Sequence, residues 1–189
     1  MIKTFCRLLN MIFPIEKIAY AIIMFIIKGL SWDQCAISTS RWKGIYVCDL
    51  LEAHGITHKW ARENNFNHLW AEGSDEGPDG VGTGSSIPLS RALDRSAGVM
   101  LAFEMNGEPI PRDHGFPLRF LIPGTVGARN IKWLRKLELS EVESYSPTQR
   151  KDYKVFGPNV TDPKTIPWES TPSVQYLPVT SGLNSKFHS

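Results

Sequence analysis

Proline and glycine interrupt this chain so often that long helices have no room. Thirteen prolines and fifteen glycines in 189 residues predict a loop-rich fold, not a helical bundle. Proline blocks a helix interior, and glycine adds an entropic cost to one. The apolar runs between these interruptions are short. Val99 to Met105 reads as a strand, Asn106-Gly107 as a tight hairpin turn, and Glu108 to Ile110 as the return strand. Leu118 to Ile122 is a second strand, closed by Pro123-Gly124, and Leu134 to Leu139 is a third. One helix is expected from Tyr46 to Ala53, where Val47, Leu50 and Leu51 share a face and Gly55 supplies the stop.

The remaining stretches read as irregular. Trp60 to Trp70 has no clean period and carries Asn64, Asn65 and Asn67, which predicts a loop leading into a short strand. Glu72 to Ser86 holds five glycines and reads as a flexible surface loop. Its Gly80-Val-Gly-Thr-Gly lacks both the full dinucleotide spacing and the Gly-Lys-Ser/Thr of a phosphate loop. After Tyr153, Pro158, Pro163, Pro167, Pro172 and Pro178 predict an extended, packed-down tail.

The length is enough for one domain with a proper core. Twenty-one Lys and Arg against nineteen Asp and Glu leave a net charge of +2, too mild and too dispersed for a nucleic-acid partner. Cys6, Cys35 and Cys48 form no Cys-x-x-Cys pair, which argues against a disulfide framework and a structural zinc site. Cys48, on the expected helix, reads as a buried inert thiol. The first 27 residues stand apart. Ile18 to Ile27 is a ten-residue apolar run, whereas a helix needs about 20 to cross a bilayer. Glu16 and Lys17 precede it, Lys28 follows it, and no small-residue cleavage site is evident. A buried element, a targeting segment and an aberrant gene-model start all remain open; a membrane anchor is not expected.

Candidate chemistry gathers in the middle of the chain. His114 has neither His-Glu-x-x-His nor paired cysteines around it, so zinc is not indicated, and by itself it reads as a structural histidine. Its neighbours Arg119, Arg129 and Lys132 are cations beside glycine-rich turns. Backbone N–H groups and fixed cations together suit a phosphate or small oxyanion. Asp75 could accept hydrogen bonds from a ring N–H or a hydroxyl. Serine-nucleophile catalysis is a poor fit, because no Gly-x-Ser-x-Gly elbow is present.

Several strings then line up in order: Ser86-Ile-Pro-Leu-Ser-Arg, Phe103-Glu-Met-Asn-Gly-Glu-Pro, Pro111-Arg-Asp-His-Gly-Phe-Pro-Leu-Arg, Pro123-Gly-Thr-Val-Gly-Ala-Arg-Asn-Ile-Lys-Trp-Leu, Glu143-Ser-Tyr-Ser and Gln149-Arg-Lys-Asp-Tyr-Lys. Together with Ala36-Ile-Ser-Thr-Ser-Arg-Trp and Glu72-Gly-Ser-Asp, they resemble the molybdopterin-binding domain of sulfite oxidases from about Ile27 to Val179. Glu104-Met-Asn-Gly and the residues around Tyr153 favour sulfite oxidases over the plant and fungal nitrate reductases.

The resemblance implies a partial α+β domain with mixed short strands, few helices and long loops. It divides the chain into an atypical apolar segment 1–27, an oxidoreductase domain 28–179 and a tail 180–189 preceding a dimerisation domain. It implies that Asp75, His114, Arg119, Asn130, Ile131 and Lys132 hold molybdopterin with molybdenum, and that Tyr153 points at the metal. The implied reaction oxidises sulfite to sulfate and passes electrons singly to a haem domain or cytochrome c. A homodimer and a place in the mitochondrial intermembrane space belong to the same implication, with cytoplasm or peroxisome as alternatives and no membrane or nucleic-acid partner. Family members ligate the metal with the cysteine of a Cys-Ala/Gly-Gly-Asn-Arg string. Residues 13–20 read Phe-Pro-Ile-Glu-Lys-Ile-Ala-Tyr in that region, so no residue is assigned as a metal ligand and the chain as written is not expected to oxidise sulfite alone.

Overall fold

The alternation His68-Leu-Trp-Ala-Glu-Gly, with Leu69, Ala71 and Gly73 turned inward, produces the longest strand among the described residues. The computed structural model describes residues 39–77, 80, 82–156, 160, 162 and 165–176, and residues 39–175 make up one compact unit. The expectations for residues 1–27, for Cys6 and Cys35, and for the tail 180–189 lie outside the described residues.

The elements run in order as strand β1 (Trp42–Tyr46), helix α1 (Val47–Ala53), helix α2 (His58–Glu63), strands β2 (His68–Glu76) and β3 (Gly82–Pro88), and the single-turn helix α3 (Leu89–Ala92). Strands β4 (Met100–Met105), β5 (Glu108–Pro109), β6 (Arg119–Leu121) and β7 (Leu134–Ser140) follow. Two antiparallel sheets result. In one, β4 pairs with β1, β5 and β6; in the other, β2 lies between β3 and β7. Leu69, Ile87, Leu89, Leu101, Phe120 and Ile122, all buried, form the core with Val47 and Leu51 of α1. The mixed short strands and few helices are those of the expected α+β class.

The hairpin read at Asn106-Gly107 is present. Both residues have positive φ, 58° and 90°, as a type I′ turn demands. Helix α1 is also as read. It ends at His54, and Gly55 follows with φ 76°. The Cys48 thiol is buried, and burial followed by the neighbouring Asp49 raises its pKa, so it is held as a thiol.

Two expectations are corrected. Residues 60–63 are not a loop but part of α2, while a turn at 64–67 does lead into a strand, β2, at His68. Thr57 caps that helix by accepting from the Trp60 N–H at 3.2 Å. The asparagines terminate it, with Asn65 at φ 59° and the Phe66 N–H returning to the Ala61 carbonyl at 3.0 Å. Stacking of Trp60 on Phe66, centroids 5.5 Å apart, completes a local unit with no clean helical period. The glycine-rich stretch 72–86 is likewise not a free loop. Most of it is the paired edge of β2 and β3, where Gly84 sits opposite Glu72 and Ser85 opposite Ala71, and Ser85 and Ser86 are fully buried. Gly84 also packs against a neighbouring segment, its N–H donating to Ser146 Oγ at 3.2 Å.

The described part of the proline-rich stretch packs down but is not extended throughout: residues 168–170 form a turn, the Ser170 and Thr171 N–H groups donating to the Pro167 carbonyl at 3.1 and 3.0 Å. The Val155 N–H meets the Pro172 carbonyl and the Val174 N–H the Tyr153 carbonyl. Trp168 packs its edge on Phe156.

Candidate functional site

Three separate segments meet where most of the sequence-assigned residues lie. The end of β2 supplies Gly73, Ser74 and Asp75. A 3₁₀ turn at Arg112–His114 and the start of β6 supply Asp113, His114 and Arg119. The run into β7 supplies Asn130 through Trp133. Backbone bonds tie them together. Ser74 N–H donates to the Trp133 carbonyl at 2.9 Å, Trp133 N–H to the Gly115 carbonyl at 3.3 Å, and Phe120 N–H to the Ile131 carbonyl at 2.9 Å.

Side chains reinforce the junction. Lys132 Nζ donates to the Asp113 carbonyl at 2.9 Å and sits 4.3 Å from the Trp133 ring centroid. Trp133 Nε1 donates to the Arg112 carbonyl at 2.9 Å. Asn130 Oδ1 accepts from the Ile122 N–H at 2.7 Å, and Ile131 is buried. Arg119 Nη1 donates to the His114 carbonyl at 3.2 Å, its guanidinium lying 5.2 Å from the Trp42 ring centroid. An open cleft beside this junction is lined by Ser74, Asp75, Arg112, Asp113, Phe116 and Trp133.

Two glycines let the segments approach. A Cβ on Gly73 would sit 2.4 Å from Asp75 Oδ1 and 2.7 Å from the Lys132 carbonyl oxygen. On Gly115, at φ 110°, it would come within 2.9 Å of Lys132 Cβ. Either side chain would push Lys132 outward.

The electrostatics leave unused capacity. Asp75 Oδ1 and Arg119 Nε are buried without a hydrogen-bond partner, and burial pulls the Arg119 pKa below its usual value. A buried polar atom without a partner costs about 1–3 kcal/mol, a state that His68 Nδ1, Gln149 Nε2 and Gln175 Oε1 share elsewhere in the fold. His114 is exposed on its turn. Among the described residues, no group of three or more His, Cys, Asp or Glu is placed to hold a metal ion. No helix among them is long and apolar enough to cross a membrane.

Tyr153 is placed elsewhere in the contact network. It ends a π-helical turn, Thr148–Asp152, and, like His114, Arg119, Asn130, Ile131 and Lys132, it is not among the residues lining the cleft at Asp75. Its carbonyl faces Arg129 Nη2 at 3.5 Å. Arg129 is fully buried. Its Nε donates to the Val174 carbonyl at 3.0 Å, and Nη1 donates to the Gln149 amide oxygen and to the Thr148 carbonyl at 3.4 Å. Burial is the largest influence on it, pulling its pKa down to about 10, with Glu143 and Tyr153 opposing that shift. It therefore stays charged at neutral pH.

Sequence reasoning missed Gln149 and Trp133 as organisers. Trp133 has φ 48°, a conformation rare for a bulky residue and worth a functional question, but no local signal announces it. Gln149 is fully buried between Arg129 and the Ser86 N–H, and its partners are distant in sequence.

His68 offers a pH test of this region. Burial lowers its pKa from the ordinary 6.5, more than Glu143 raises it, while Arg150 adds to the lowering. The unfolded chain then binds more protons than the folded one between the two pKa values, so stability rises with pH there. The contribution is complete above about pH 6.5 and declines as pH falls toward the folded pKa. Thermal midpoints from about pH 8 to about pH 5 should fall less steeply in His68→Gln than in the parent; equal slopes would remove His68 as the source.

Comparison with known proteins places these segments in context. The family model described as the oxidoreductase molybdopterin binding domain matches residues 16–148. Human mitochondrial sulfite oxidase is 50% identical over 157 residues, a match covering 83% of this chain and 28% of that protein. Nitrate reductase [NADH] 2 of Arabidopsis thaliana is 38% identical over 140 residues, covering 71% of the chain and 15% of the relative. Among solved structures, the sulfane dehydrogenase SoxCD of Paracoccus pantotrophus aligns with a TM-score of 0.53 at 26% identity, over 70% of this chain and 29% of that one. The chain spans less than a third of the length of these proteins.

Proposed function

Because the chain belongs to the oxidoreductase molybdopterin-binding domain family, we propose that the junction of residues 73–75, 112–119 and 130–133 holds molybdopterin carrying molybdenum, in the service of sulfite oxidation. The observation carrying this reading is the two stranded atoms, Asp75 Oδ1 and Arg119 Nε, an acceptor and a donor buried without partners on two of the three segments that meet here. A pterin presents ring N–H donors and a phosphate presents acceptor oxygens, so the donor set fits the group. The glycine approach at Gly73 and Gly115 supports it, since it holds Lys132 inward.

Each residue then has a physical task. Asp75 accepts from a ring N–H. Arg119 and Lys132 neutralise phosphate charge, Arg119 as a planar fork and Lys132 as a point charge already anchored on the Asp113 carbonyl. Asn130 and Ile131 fix the run that presents Lys132, through Ile122 and Phe120. His114 shapes the turn from which Arg119 reaches back. Tyr153 serves the reacting end, a role resting on its Arg-Lys-Asp-Tyr-Lys string. When bound, the group supplies two-electron oxygen-atom transfer to sulfite, and the protein supplies placement and charge. The greater likeness to sulfite oxidase than to nitrate reductase supports sulfite as substrate, with cytochrome c or a haem domain as acceptor and a homodimer as the assembly. The mitochondrial designation of the animal relatives supports a mitochondrial location, within which the intermembrane space is the compartment we propose.

A second reading is a pterin-holding module without turnover. The Cys48 thiol favours it, because burial keeps it protonated, whereas a molybdenum centre of this type needs a thiolate ligand. The chain by itself is therefore expected to hold cofactor and give no sulfite-dependent cytochrome c reduction above background. Robust turnover would show that Cys6 or Cys35 ligates the metal.

A further inference from the structure

The proposed site falls into two parts that no side-chain contact between Tyr153 and Lys132 joins, yet one side chain spans them. Arg129 precedes the 130–132 run directly, and its own carbonyl accepts from Ser85 Oγ at 3.1 Å, which pins its backbone to β3. Its guanidinium reaches acceptors on two other segments: Thr148, Gln149 and Tyr153 on the π-helical turn, and Val174 on the returning strand-like segment. The Tyr153 carbonyl is in turn held by the Val174 N–H at 2.8 Å, so Arg129 and Val174 close a ring of contacts around that carbonyl. Gln149 extends it, accepting from the Ser86 N–H at 3.2 Å.

All of the guanidinium's hydrogen-bond partners are neutral oxygens. Burying the cation costs desolvation, which Glu143 and Tyr153 only partly offset, yet an apolar side chain of similar volume would leave these oxygens without a donor. What an apolar side chain cannot do is donate in several directions from one plane.

We propose that Arg129 is a positioning residue: it sets the Tyr153 loop in register with the 130–132 run, so that the two parts of the site move as one body. This rests on the reading of the site given above, with Tyr153 at the reacting end. Lysine at this position keeps the charge but loses the fork, and methionine loses both.

The test uses the full chain with its tyrosines labelled at the ring Cζ carbon, the Tyr153 signal being assigned by its absence in Tyr153→Phe. Arg129→Lys and Arg129→Ala are compared with the parent by amide exchange at Val174 and by the Tyr153 ring signal. In Arg129→Lys, exchange at Val174 should accelerate at least about tenfold, the size expected when a hydrogen bond to a charged group is released. The Tyr153 signal should shift or broaden while core amides such as Phe120 keep their protection. Millimolar guanidinium ion added to Arg129→Ala should restore the parental Tyr153 signal, which a residue that only stabilises the fold would not predict. Unchanged Val174 exchange and Tyr153 signal in Arg129→Lys would overturn the proposal. So would protection lost evenly throughout the chain, or no response of Arg129→Ala to guanidinium. Finding no pterin in the parent chain would remove the reading of the site but leave this comparison intact, so the two failures are separable.

Discussion

Gly44→Val should leave little or no folded chain. Gly44 lies in β1 where the pairing with β4 shifts register between Lys43 and Gly44. A Cβ there would sit 2.0 Å from the Leu101 carbonyl oxygen and 2.8 Å from Ala102 Cα. Both are backbone atoms of a strand paired on either side, so neither can turn away as a flexible side chain could. Relief requires moving β1 off β4, which gives up the bonds joining the edge strand to the sheet and uncovers Leu101 and Ala102, both buried. Overpacking alone costs about 1–3 kcal/mol. With lost pairing the total should exceed about 4 kcal/mol, a large share of the 5–15 kcal/mol typical of a domain. Circular dichroism and the soluble yield of the variant check this; a midpoint within a few degrees of the parent would mean the strands can separate at little cost.

The second large effect separates binding from stability. Arg119→Met should lower pterin retention at least about tenfold while leaving the ligand-free chain as stable as the parent or more so. Arg119 Nε is buried and unpartnered, and its pKa is lowered by burial alone, so the charge is a burden until an anion arrives. Methionine keeps most of the apolar stem and the packing near Trp42 without carrying that burden. A residue serving the fold would give the opposite pattern, with stability lost and binding lost only in proportion. Pterin released by oxidation of the purified variant, set beside its unfolding midpoint, distinguishes the two. Full retention of pterin would remove Arg119 from the site.

What the sequence disclosed divides along the reach of each interaction. Asn106-Gly107 was legible because a two-residue turn carries its own conformational demand. The helix ending at Gly55 was legible for the same reason. Residues 58–63 were misread because the Thr57 cap and the Trp60–Phe66 stack outweigh a weak period, and because asparagines that end a helix look like loop residues from outside. The glycines of 72–86 were misread because glycine marks close approach of another segment as well as freedom, and only the fold reveals the Lys132 carbonyl lying against Gly73.

The site was legible through resemblance and not through local pattern. Ser74 and Trp133 are 59 residues apart in sequence, and no spacing rule joins them. The cations Arg119, Arg129 and Lys132 could be picked out as a group, but their division of labour could not. Lys132 and Arg119 both donate to carbonyls of the 112–114 turn, whereas Arg129 turns into the interior toward Gln149 and Val174.

The central claim is that these three segments form a pterin-binding junction, and the most direct measurement is the pterin content of the full chain purified from cells that make the cofactor. The account predicts fluorescent pterin, released by oxidation, near one equivalent per chain and strongly reduced in Arg119→Met. A folded chain purified with no pterin, from cells in which a control molybdopterin enzyme is loaded, would contradict it.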